Sequence, residues 1–495
     1  MTLTVNPIAD IIAPLPKGLL IDGQFVPALS GKTFKTFNPA TGEVLAEVAE
    51  GDVVDIDLAV AAARRAFTGP WSRFTPFQRQ QCLLRFADLV EKHFDTLALI
   101  DVLDMGAPIS AMQARRQRAI GLPRFYAGMC TVIAGGTLPN SLPGEVFTYT
   151  LKEPVGVVGA ITPWNAPLTS TLWKMGPVLA TGCTMVLKPA EDSPLTALRL
   201  GQLLLEAGVP AGVVNIVPGF GPTAGDALAR HSDVDKVAFT GSDLTGRKIV
   251  EASKTNLKRV TLELGGKSPD IIFADCDMEA AVAGAAMGVF ANSGQICVAG
   301  TRLLVERPIY EEFVARVSAY ARALKVGNGL DPATQIGPIV NARQLERITS
   351  YMEIGISEGV TAAAGGRRLT EGALKNGYFF EPTVLSGVSN AMRIAQEEIF
   401  GPVAAAIPFD TPEEAAAIAN DTPFGLGGGV WTTNLSTAHR MAKAIRAGTV
   451  WVNTYGGLDP VVPFGGYKAS GYGRESGTEH LDAYLETKSV VMKLA

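Results

Sequence analysis

From residue 155 onward, short runs of β-forming residues alternate with segments long enough to form helices. These runs are rich in apolar residues, as in strands buried on both faces of a sheet, and they lie at residues 156–164, 184–188, 212–217, 236–240 and 259–264. Between two of them, Ser193 and Pro194 predict the start of a helix and Gly208 its end. Such alternation predicts a largely parallel sheet covered by helices, which binds ligands beyond the carboxyl ends of its strands.

The chain is too long for one hydrophobic core. Its 495 residues predict two or three domains. After Leu264 the alternation continues, while glycines concentrate in loops such as 425–429 and 463–473. This pattern predicts a second α/β domain that faces the first across a cleft. The Gly- and Pro-containing segment 130–150 and the strand-like segment 483–494 predict a separate β arm.

Composition argues against several classes of protein. The net charge is −5 and Lys and Arg form no long block, so we expect neither nucleic acid nor a membrane as a partner. No apolar run reaches the ~18 residues of a membrane span. The five cysteines are scattered and never form a C-x-x-C pair, which predicts a cytoplasmic protein without disulfides or a metal site. The four histidines show no H-E-x-x-H spacing and G-x-S-x-G is absent, which disfavours zinc and serine hydrolases.

Three residues are candidates for catalysis. Cys297 lies among small and polar residues, which suits an accessible nucleophile, although a buried inert thiol would fit as well. Glu263 ends an apolar strand beside two glycines, where burial would raise its pKa as a general base requires; a salt-bridged Glu is the alternative. Asn165 lies in a Pro-Trp-Asn turn, where a neutral amide suits a developing oxyanion or simply caps the turn.

Two glycine-containing turns are candidates for binding a cofactor. Residues 219–225 follow a strand and precede a helix, a position that fits either a cofactor cradle or a tight structural turn. Residues 239–242 (FTGS) form another strand-to-helix turn, where backbone N–H groups and the helix dipole favour a phosphate. Two further stretches imitate a P-loop but fail, because Arg247 replaces the lysine in one and Thr261 the first glycine in the other.

Taken in order, these segments resemble the aldehyde dehydrogenase superfamily. The matching motifs are PWN (163–165), VLKPAE (186–191), FTGS (239–242), LELGGKSP (262–269), GQIC (294–297), EEIFGP (397–402) and PFGGYKASGYGRE (463–475). The likeness covers residues 20–492 without a large insertion or deletion. Any one motif could arise by chance, but seven in the same order are specific.

The resemblance implies an α/β fold with two Rossmann-like, doubly wound domains and a small β arm for oligomerisation. The cofactor-binding domain would comprise residues 1–131 and 151–260, the catalytic domain residues 261–477, and the arm residues 132–150 and 478–495. It also implies self-association as a homodimer or homotetramer.

The resemblance implies a covalent mechanism for oxidising a small-molecule aldehyde to its acid. Cys297 would attack the aldehyde carbon, and Asn165 together with the Cys297 backbone N–H would hold the resulting oxyanion. Glu263 would activate the water that hydrolyses the thioester. Lys174 and Glu475 match residues that pass protons away from that base.

The resemblance also implies a site for NAD. Lys188 and Glu191 match positions at the adenosine ribose, Ser242 a pyrophosphate contact, and Glu398 and Phe400 the nicotinamide ribose. The remaining matched positions are Ile161, Thr162, Pro163, Trp164, Gly221, Gly225, Phe239, Gly241 and Leu264. Because a carboxylate accepts bonds from ribose hydroxyls but repels a 2′-phosphate, Glu191 predicts NAD over NADP.

Six matched positions would line the substrate tunnel. Ala166 and Leu458 stand where several relatives carry large aromatic residues, whereas Trp173 and Phe464 keep the aromatic lining. Ile296 and Val298 flank the cysteine with apolar side chains, and none of the six is charged. We therefore expect a wide, apolar tunnel for bulky aliphatic, terpenoid or aromatic aldehydes.

Three alternatives follow from the same motifs. A dehydrogenase that transfers the acyl group to CoA commonly lacks the base, so Glu263 disfavours it. A cysteine esterase or thioesterase would not need the complete VLKPAE and EEIFGP motifs. A non-catalytic structural relative would not need Cys297, Glu263 and Asn165 together. Formation of NADH from an aldehyde would distinguish an aldehyde dehydrogenase from the esterase or thioesterase.

Overall fold

The alternation of strands and helices is present in a computed structural model of the protein, which describes residues 8–494. The strands are β1 (Leu19–Ile21), β2 (Gln24–Val26), β3 (Thr33–Phe37), β4 (Val44–Ala49), β5 (Val146–Pro154), β6 (Val157–Ile161), β7 (Thr184–Lys188), β8 (Val214–Ile216), β9 (Lys236–Thr240), β10 (Arg259–Glu263), β11 (Pro269–Ile272), β12 (Arg302–Glu306), β13 (Thr361–Ala364), β14 (Arg368–Leu369), β15 (Phe379–Phe380), β16 (Thr383–Ser386), β17 (Val403–Phe409), β18 (Gly427–Trp431), β19 (Thr449–Val452), β20 (Gly471–Tyr472) and β21 (Leu485–Lys493).

The helices cover the faces of the sheets and connect the parallel strands. They are α1 (Ile8–Ile12), α2 (Val53–Thr68), α3 (Pro76–Lys92), α4 (Phe94–Met105), α5 (Ile109–Ala114), α6 (Arg116–Met129), α7 (Pro167–Thr181), α8 (Leu195–Glu206), α9 (Asp226–Arg230), α10 (Asp243–Ser253), α11 (Met278–Phe290), α12 (Tyr310–Ala323), α13 (Ala342–Ser357), α14 (Arg393–Gln396), α15 (Pro412–Asn420), α16 (Leu435–Ala444) and α17 (Glu479–Asp482). No helix within residues 8–494 has the length and apolarity needed to cross a membrane.

The first sheet contains the five predicted strands. Its order is β2-β1-β8-β7-β6-β9-β10-β20, and the five strands from β8 to β10 run parallel. Strands β6 and β7 are buried at every position, because helices cover both faces of the sheet. The sequence predicts β7 and β9 at their observed bounds. Strand β6 is shorter than predicted, since residues 162–166 form the turn that leads into α7.

The second sheet is built from residues 269–452. Its order is β13-β16-β17-β12-β11-β18-β19, and all its strands are parallel except β13, which pairs antiparallel with β16. Two large apolar clusters enclose it, one on each face. The predicted fold class, with two Rossmann-like α/β units, is confirmed.

A two-stranded antiparallel ribbon lies outside both sheets. It pairs β5 with β21 over nine residues, from Leu485 opposite Pro154 to Lys493 opposite Val146. The division into three domains stays a prediction: β5 crosses the proposed boundary at 150/151 and β10 the one at 260/261. Residues 1–7 of the proposed cofactor-binding domain and residue 495 of the proposed arm lie outside the described residues.

The start of α8 differs from its prediction. The sequence predicts Ser193 as the cap of this helix, but its hydroxyl donates instead to the carbonyl of Trp164, at 3.1 Å. The cap comes from α4, where the Asp104 carboxylate accepts the N–H of Leu195 at 3.1 Å. On the same helix, Asp101 accepts the N–H of Leu168, the second residue of α7. Two carboxylates of α4 therefore bind the first turns of α7, which follows the Pro-Trp-Asn turn, and of α8.

We predict that Asp104→Ala destabilises the protein by about 1–3 kcal/mol, because the buried N–H of Leu195 loses its acceptor. Burial raises the pKa of the Asp104 carboxyl well above its usual range, so the neutral isostere Asp104→Asn should retain most of the stability. Thermal denaturation of the two variants tests this. Asp88→Ala, which removes an exposed carboxylate, is the control. Equal melting temperatures for Asp104→Ala and wild type would contradict the capping role.

Candidate active site

Cys297 lies in a loop that follows α11 and is fixed by its own side chains. Asn292 and Ser293 adopt left-handed backbone conformations, with φ of 53° and 58°, which are rare for residues other than glycine and cluster at functional sites. The side chain of Gln295 donates to the carbonyl of Asn292 at 3.1 Å and accepts the N–H of Val340 at 2.9 Å. The loop therefore presents a half-buried Cys297 in a single orientation.

The loop is joined to the first sheet through Asn165. Its amide nitrogen donates to the carbonyl of Gln295 at 2.8 Å, and Asn292 donates back to the carbonyl of Asn165 at 3.1 Å. An Asn side chain carries two N–H groups, so a second donor remains for a ligand at Cys297. The Pro-Trp-Asn turn therefore places the side-chain amide of Asn165 beside the loop that carries Cys297.

Glu263 ends β10 and is 4% exposed. Neither of its oxygens has a hydrogen-bond partner within residues 8–494. Burial, and then the nearby charge of Glu475, raises the pKa of the Glu263 carboxyl well above its usual range. The predicted direction of this shift is confirmed, and the carboxyl is available to a ligand or a water molecule.

Lys174 and Glu475 form a buried ion pair behind Glu263. Lys174 is on α7 and donates to the Glu475 carboxylate, and both side chains are less than a twentieth exposed. A backbone bridge between Glu475 and Phe464 holds the carboxylate in place. The five proposed catalytic residues therefore meet in one place.

The surroundings of Cys297 disfavour the thiolate. Burial raises the pKa of the Cys297 thiol to about 12, and the charges of Glu398, Glu263 and Glu475 add to that effect. The backbone N–H of Val298 opposes it only in part.

Glycine is required where two loops cross below the cysteine. A Cβ on Gly266 would lie 2.6 Å from the backbone oxygen of Cys297, and one on Gly265 would lie 2.2 Å from Glu398. Glu398 in turn accepts the N–H of Gly266 at 3.0 Å. At Gly266 only a residue without a side chain allows this approach, since the neighbouring atom belongs to the backbone.

The carboxyl edge of the first sheet carries the proposed ribose-binding residues. At the end of β7, the Lys188 ammonium donates to the Glu191 carboxylate at 2.8 Å. Burial would raise the pKa of the Glu191 carboxyl, but the charge and hydrogen bond of Lys188 outweigh it and the pKa is lowered. Glu191 is therefore an ionised acceptor. At the end of β6, the Thr162 N–H donates to the carbonyl of Lys188, next to the buried Ile161 and the half-buried Pro163.

Two turns at the same edge leave space for a phosphate. A Cβ added at Gly221 would meet nothing within 4 Å, and this glycine begins a single wide helical turn that Gly225 ends before α9. Ser242 caps α10 by accepting the N–H of Thr245 at 3.3 Å. Gly241, between Phe239 and Ser242, donates to the carbonyl of Glu263.

The proposed nicotinamide side of the site lies between the two sheets. Phe400 has a φ of 60°, and its ring meets that of Trp164 edge to face at 5.3 Å. Leu264 is buried below, with its N–H bonded to the carbonyl of Ser470. Lys267 is 1% exposed and its ammonium has no hydrogen-bond partner within residues 8–494. One edge of the first sheet thus carries the ionised carboxylate of Glu191, an open glycine turn and the start of α10. A dinucleotide fits these three features.

Cys297 packs against an apolar cluster. Val298 and Phe464 are buried in it, with Ile296 and Leu458 packed against them. Trp173 stacks on Phe464, with ring centroids 5.7 Å apart and an angle of 11°. Five of the six proposed tunnel residues therefore share one cluster, and the sixth, Ala166, lies just before α7.

Arg118 on α6 also lies next to this cluster, although no sequence motif predicts it. Its guanidinium lies over the ring of Trp173, 4.6 Å from the ring centroid. The sequence carries no signal for this placement, because Arg118 is one of several arginines at the start of α6 and lies far along the chain from the motifs.

Two Rossmann-like units with a cysteine, an amide and an unpaired carboxylate gathered between them are typical of a dehydrogenase that captures its substrate covalently. Comparison with known proteins narrows this class. The model of the Aldehyde dehydrogenase family matches residues 25–490. The chain therefore belongs to the aldehyde dehydrogenase family, and it is an NAD-dependent aldehyde dehydrogenase.

Relatives and solved structures agree over nearly the whole length. The mitochondrial benzaldehyde dehydrogenase of Antirrhinum majus is 50% identical over 479 residues, 96% of this chain and 89% of that protein. The NAD+ complex structure of aldehyde dehydrogenase from Bacillus cereus is 48% identical, covers 100% of both chains and has a TM-score of 0.96. The betaine aldehyde dehydrogenase of Staphylococcus aureus in complex with NAD+ is 39% identical and covers 98% of this chain and 96% of that chain, with a TM-score of 0.97.

We predict that Gly266→Ala lowers kcat by about 10²-fold, because a displacement of about 1 Å at the reacting atom has an effect of that size. The added methyl group must push the carbonyl of Cys297 away. Gly128→Ala is the matched control, since a Cβ there meets nothing within 4 Å. The kcat of both variants is measured by steady-state NADH formation. A wild-type kcat in Gly266→Ala would show that the contact between Gly266 and the Cys297 carbonyl does not position the thiol.

Proposed function

We propose that the protein oxidises a bulky, apolar aldehyde (aliphatic, terpenoid or aromatic) to its carboxylic acid through a thioester on Cys297. One observation carries the proposal. An unpaired, buried Glu263 carboxyl accompanies a half-buried thiol that packs against an apolar cluster, which we take as the wall of the substrate pocket. A carboxyl without partners inside a protein is costly, and a reacting water molecule gives it one.

The first step belongs to Cys297 and Asn165. The sulfur forms a bond to the aldehyde carbon while the carbonyl electron pair moves to oxygen, and the thiol proton passes to a water molecule. The free N–H of the Asn165 amide and the backbone N–H of Cys297 stabilise the oxyanion. Donors of this kind contribute about 10²–10³-fold in rate. Bound NAD+ supplies the acceptor for the hydride that leaves the tetrahedral carbon.

The second step belongs to Glu263. The carboxylate takes a proton from water as the water oxygen attacks the thioester carbon, and the carbon–sulfur bond then breaks to release the acid and Cys297. The Lys174–Glu475 pair lies directly behind Glu263 and offers a route for the proton. An ionised Glu263 is required, so its raised pKa makes hydrolysis depend on pH.

Cofactor choice follows from Glu191 and Lys188. The Glu191 carboxylate accepts hydrogen bonds from ribose hydroxyls and also neutralises Lys188, so a 2′-phosphate meets repulsion and finds no free cation. NADP is therefore the weaker cofactor.

Self-association as a homodimer or homotetramer is part of the proposal. The β5–β21 ribbon exposes apolar side chains, with Phe147 at 43% and Val491 at 61% exposed. Exposed apolar side chains on a ribbon outside both sheets favour contact with another chain. A cytoplasmic location is likewise proposed, on the basis of the five free cysteines.

We predict that Glu263→Gln keeps a burst of about one NADH per active site but lowers the steady-state rate by about 10²–10⁴-fold, because the amide cannot accept a proton from water. In wild type, kcat should rise as the pH increases through the raised pKa of Glu263, since the neutral acid below it is inactive. Glu263→Gln should lose that rise. Stopped-flow absorbance tests both points. A variant with no burst, or with wild-type turnover, would contradict the assigned role.

We predict that Glu191→Ala increases the ratio of kcat/KM for NADP to that for NAD by tenfold or more. The substitution removes a repelling charge and frees Lys188 for the 2′-phosphate, two effects with the same sign. Glu251→Ala, on the exposed surface, is the control. An unchanged ratio in Glu191→Ala would overturn this account of cofactor choice.

We predict that kcat/KM is higher for octanal and benzaldehyde than for acetaldehyde and betaine aldehyde. Each methylene group buried in the pocket adds about 0.8 kcal/mol, whereas a quaternary ammonium loses hydration there. A screen of NADH formation across aldehydes of graded length and ring size measures this. A preference for acetaldehyde or betaine aldehyde would contradict the proposed substrate class.

A further inference from the structure

Trp173, which packs against the apolar cluster around Cys297, also contacts a cation without an ion-pair partner among residues 8–494. Arg118 lies on α6 with its guanidinium over the ring of Trp173, 4.6 Å from the centroid. Trp173 in turn stacks on Phe464 and packs against the cluster around Cys297. The side chain of Trp173 thus contacts both Arg118 and the apolar cluster that includes Cys297.

Other arginines on α6 are paired, whereas Arg118 is not. Arg116 donates to Asp95 at 3.2 Å and Arg124 to Glu91 at 2.6 Å. Arg118 forms no hydrogen bond or ion pair within residues 8–494, and the exposed Asp459 acts on it only at a distance.

The surroundings of Arg118 leave its charge intact but poorly solvated. Burial lowers the pKa of Arg118 to about 10, the neighbouring Arg115 adds to that effect, and Glu475 and an ionised Cys297 oppose it. The group is therefore still cationic at neutral pH.

A guanidinium in this state is a binding site for an anion. A half-buried charge without a partner is unfavourable, and a carboxylate offers it two parallel hydrogen bonds in a planar arrangement. The ring of Trp173 holds the guanidinium from one face by a cation–π contact and leaves its N–H groups free at the edge.

We propose that Arg118 binds a carboxylate at the end of the substrate opposite the aldehyde. This inference rests on the proposed function and narrows its substrate class to aldehydes with an apolar body and a distal carboxylate, such as an aromatic or long aliphatic oxo acid. The apolar pocket accommodates the body of the molecule, and the cation selects its far end. The positive charge of Arg118 also disfavours cationic aldehydes.

The test compares three aldehydes of one ring size: 4-formylbenzoate, its neutral methyl ester and benzaldehyde. In wild type, kcat/KM for 4-formylbenzoate should exceed that for the ester by about tenfold or more, the contribution of one charge-assisted hydrogen bond. Arg118→Met should abolish this preference, mainly through KM for 4-formylbenzoate. Arg118→Lys should retain part of it, and the matched control Arg124→Met all of it.

The outcomes separate the inference from the proposed function. Equal kcat/KM for the acid and the ester in wild type, or a preference that survives in Arg118→Met, overturns the role of Arg118. A variant in which kcat falls equally for all three aldehydes also overturns it, because Arg118 would then only brace Trp173. Failure of wild type to oxidise any aldehyde of the graded screen refutes the proposed function itself.

A second measurement needs no variant, in case Arg118→Met does not fold. Added NaCl should raise KM of wild type for 4-formylbenzoate and leave KM for the methyl ester nearly constant, because salt screens a partly exposed ion pair. The same salt response for both aldehydes would contradict the inference.

Discussion

Two hydrogen bonds between side-chain amides and backbone carbonyls join the two sheets at their carboxyl edges. Asn165, at the end of β6, and Asn292, after α11, each donate to the other's loop. Because the carboxyl ends of parallel strands are where loops are free to carry ligands, this exchange decides how the thiol of Cys297 faces the first sheet. The left-handed conformations of Asn292 and Ser293 persist because this exchange and the contacts of Gln295 hold them.

Electrostatics around the cysteine oppose its ionisation. Glu263, Glu398 and Glu475 all raise its pKa, and burial raises the pKa of Glu263 as well. Both the nucleophile and the proposed base are thus held toward their neutral forms, whereas Glu475 is paired with Lys174.

Much of the fold follows from local pattern. Strands β7 and β9 are predictable at their bounds because nearly every residue in them is buried, so the apolar run and the strand coincide. Cys297, Glu263 and Asn165 are predictable because each lies within a short motif whose residues are contiguous. Asp104 and Arg118 could not be predicted in the same way. Asp104 of α4 contacts α8, and Arg118 of α6 contacts α7. Dozens of residues separate the partners along the chain, so only tertiary packing brings them together.

The edge of the first sheet beside Glu263 is closed by β20, which comes from near the other end of the chain. Leu262 pairs with Tyr472 and Glu263 with Gly471, more than two hundred residues further along. During synthesis, the first sheet is translated long before this strand leaves the ribosome. Until then Glu263 stands at an open, hydrated edge as an ordinary carboxyl. The nascent chain therefore acquires its active site late in translation, when nearly all of the rest has been made.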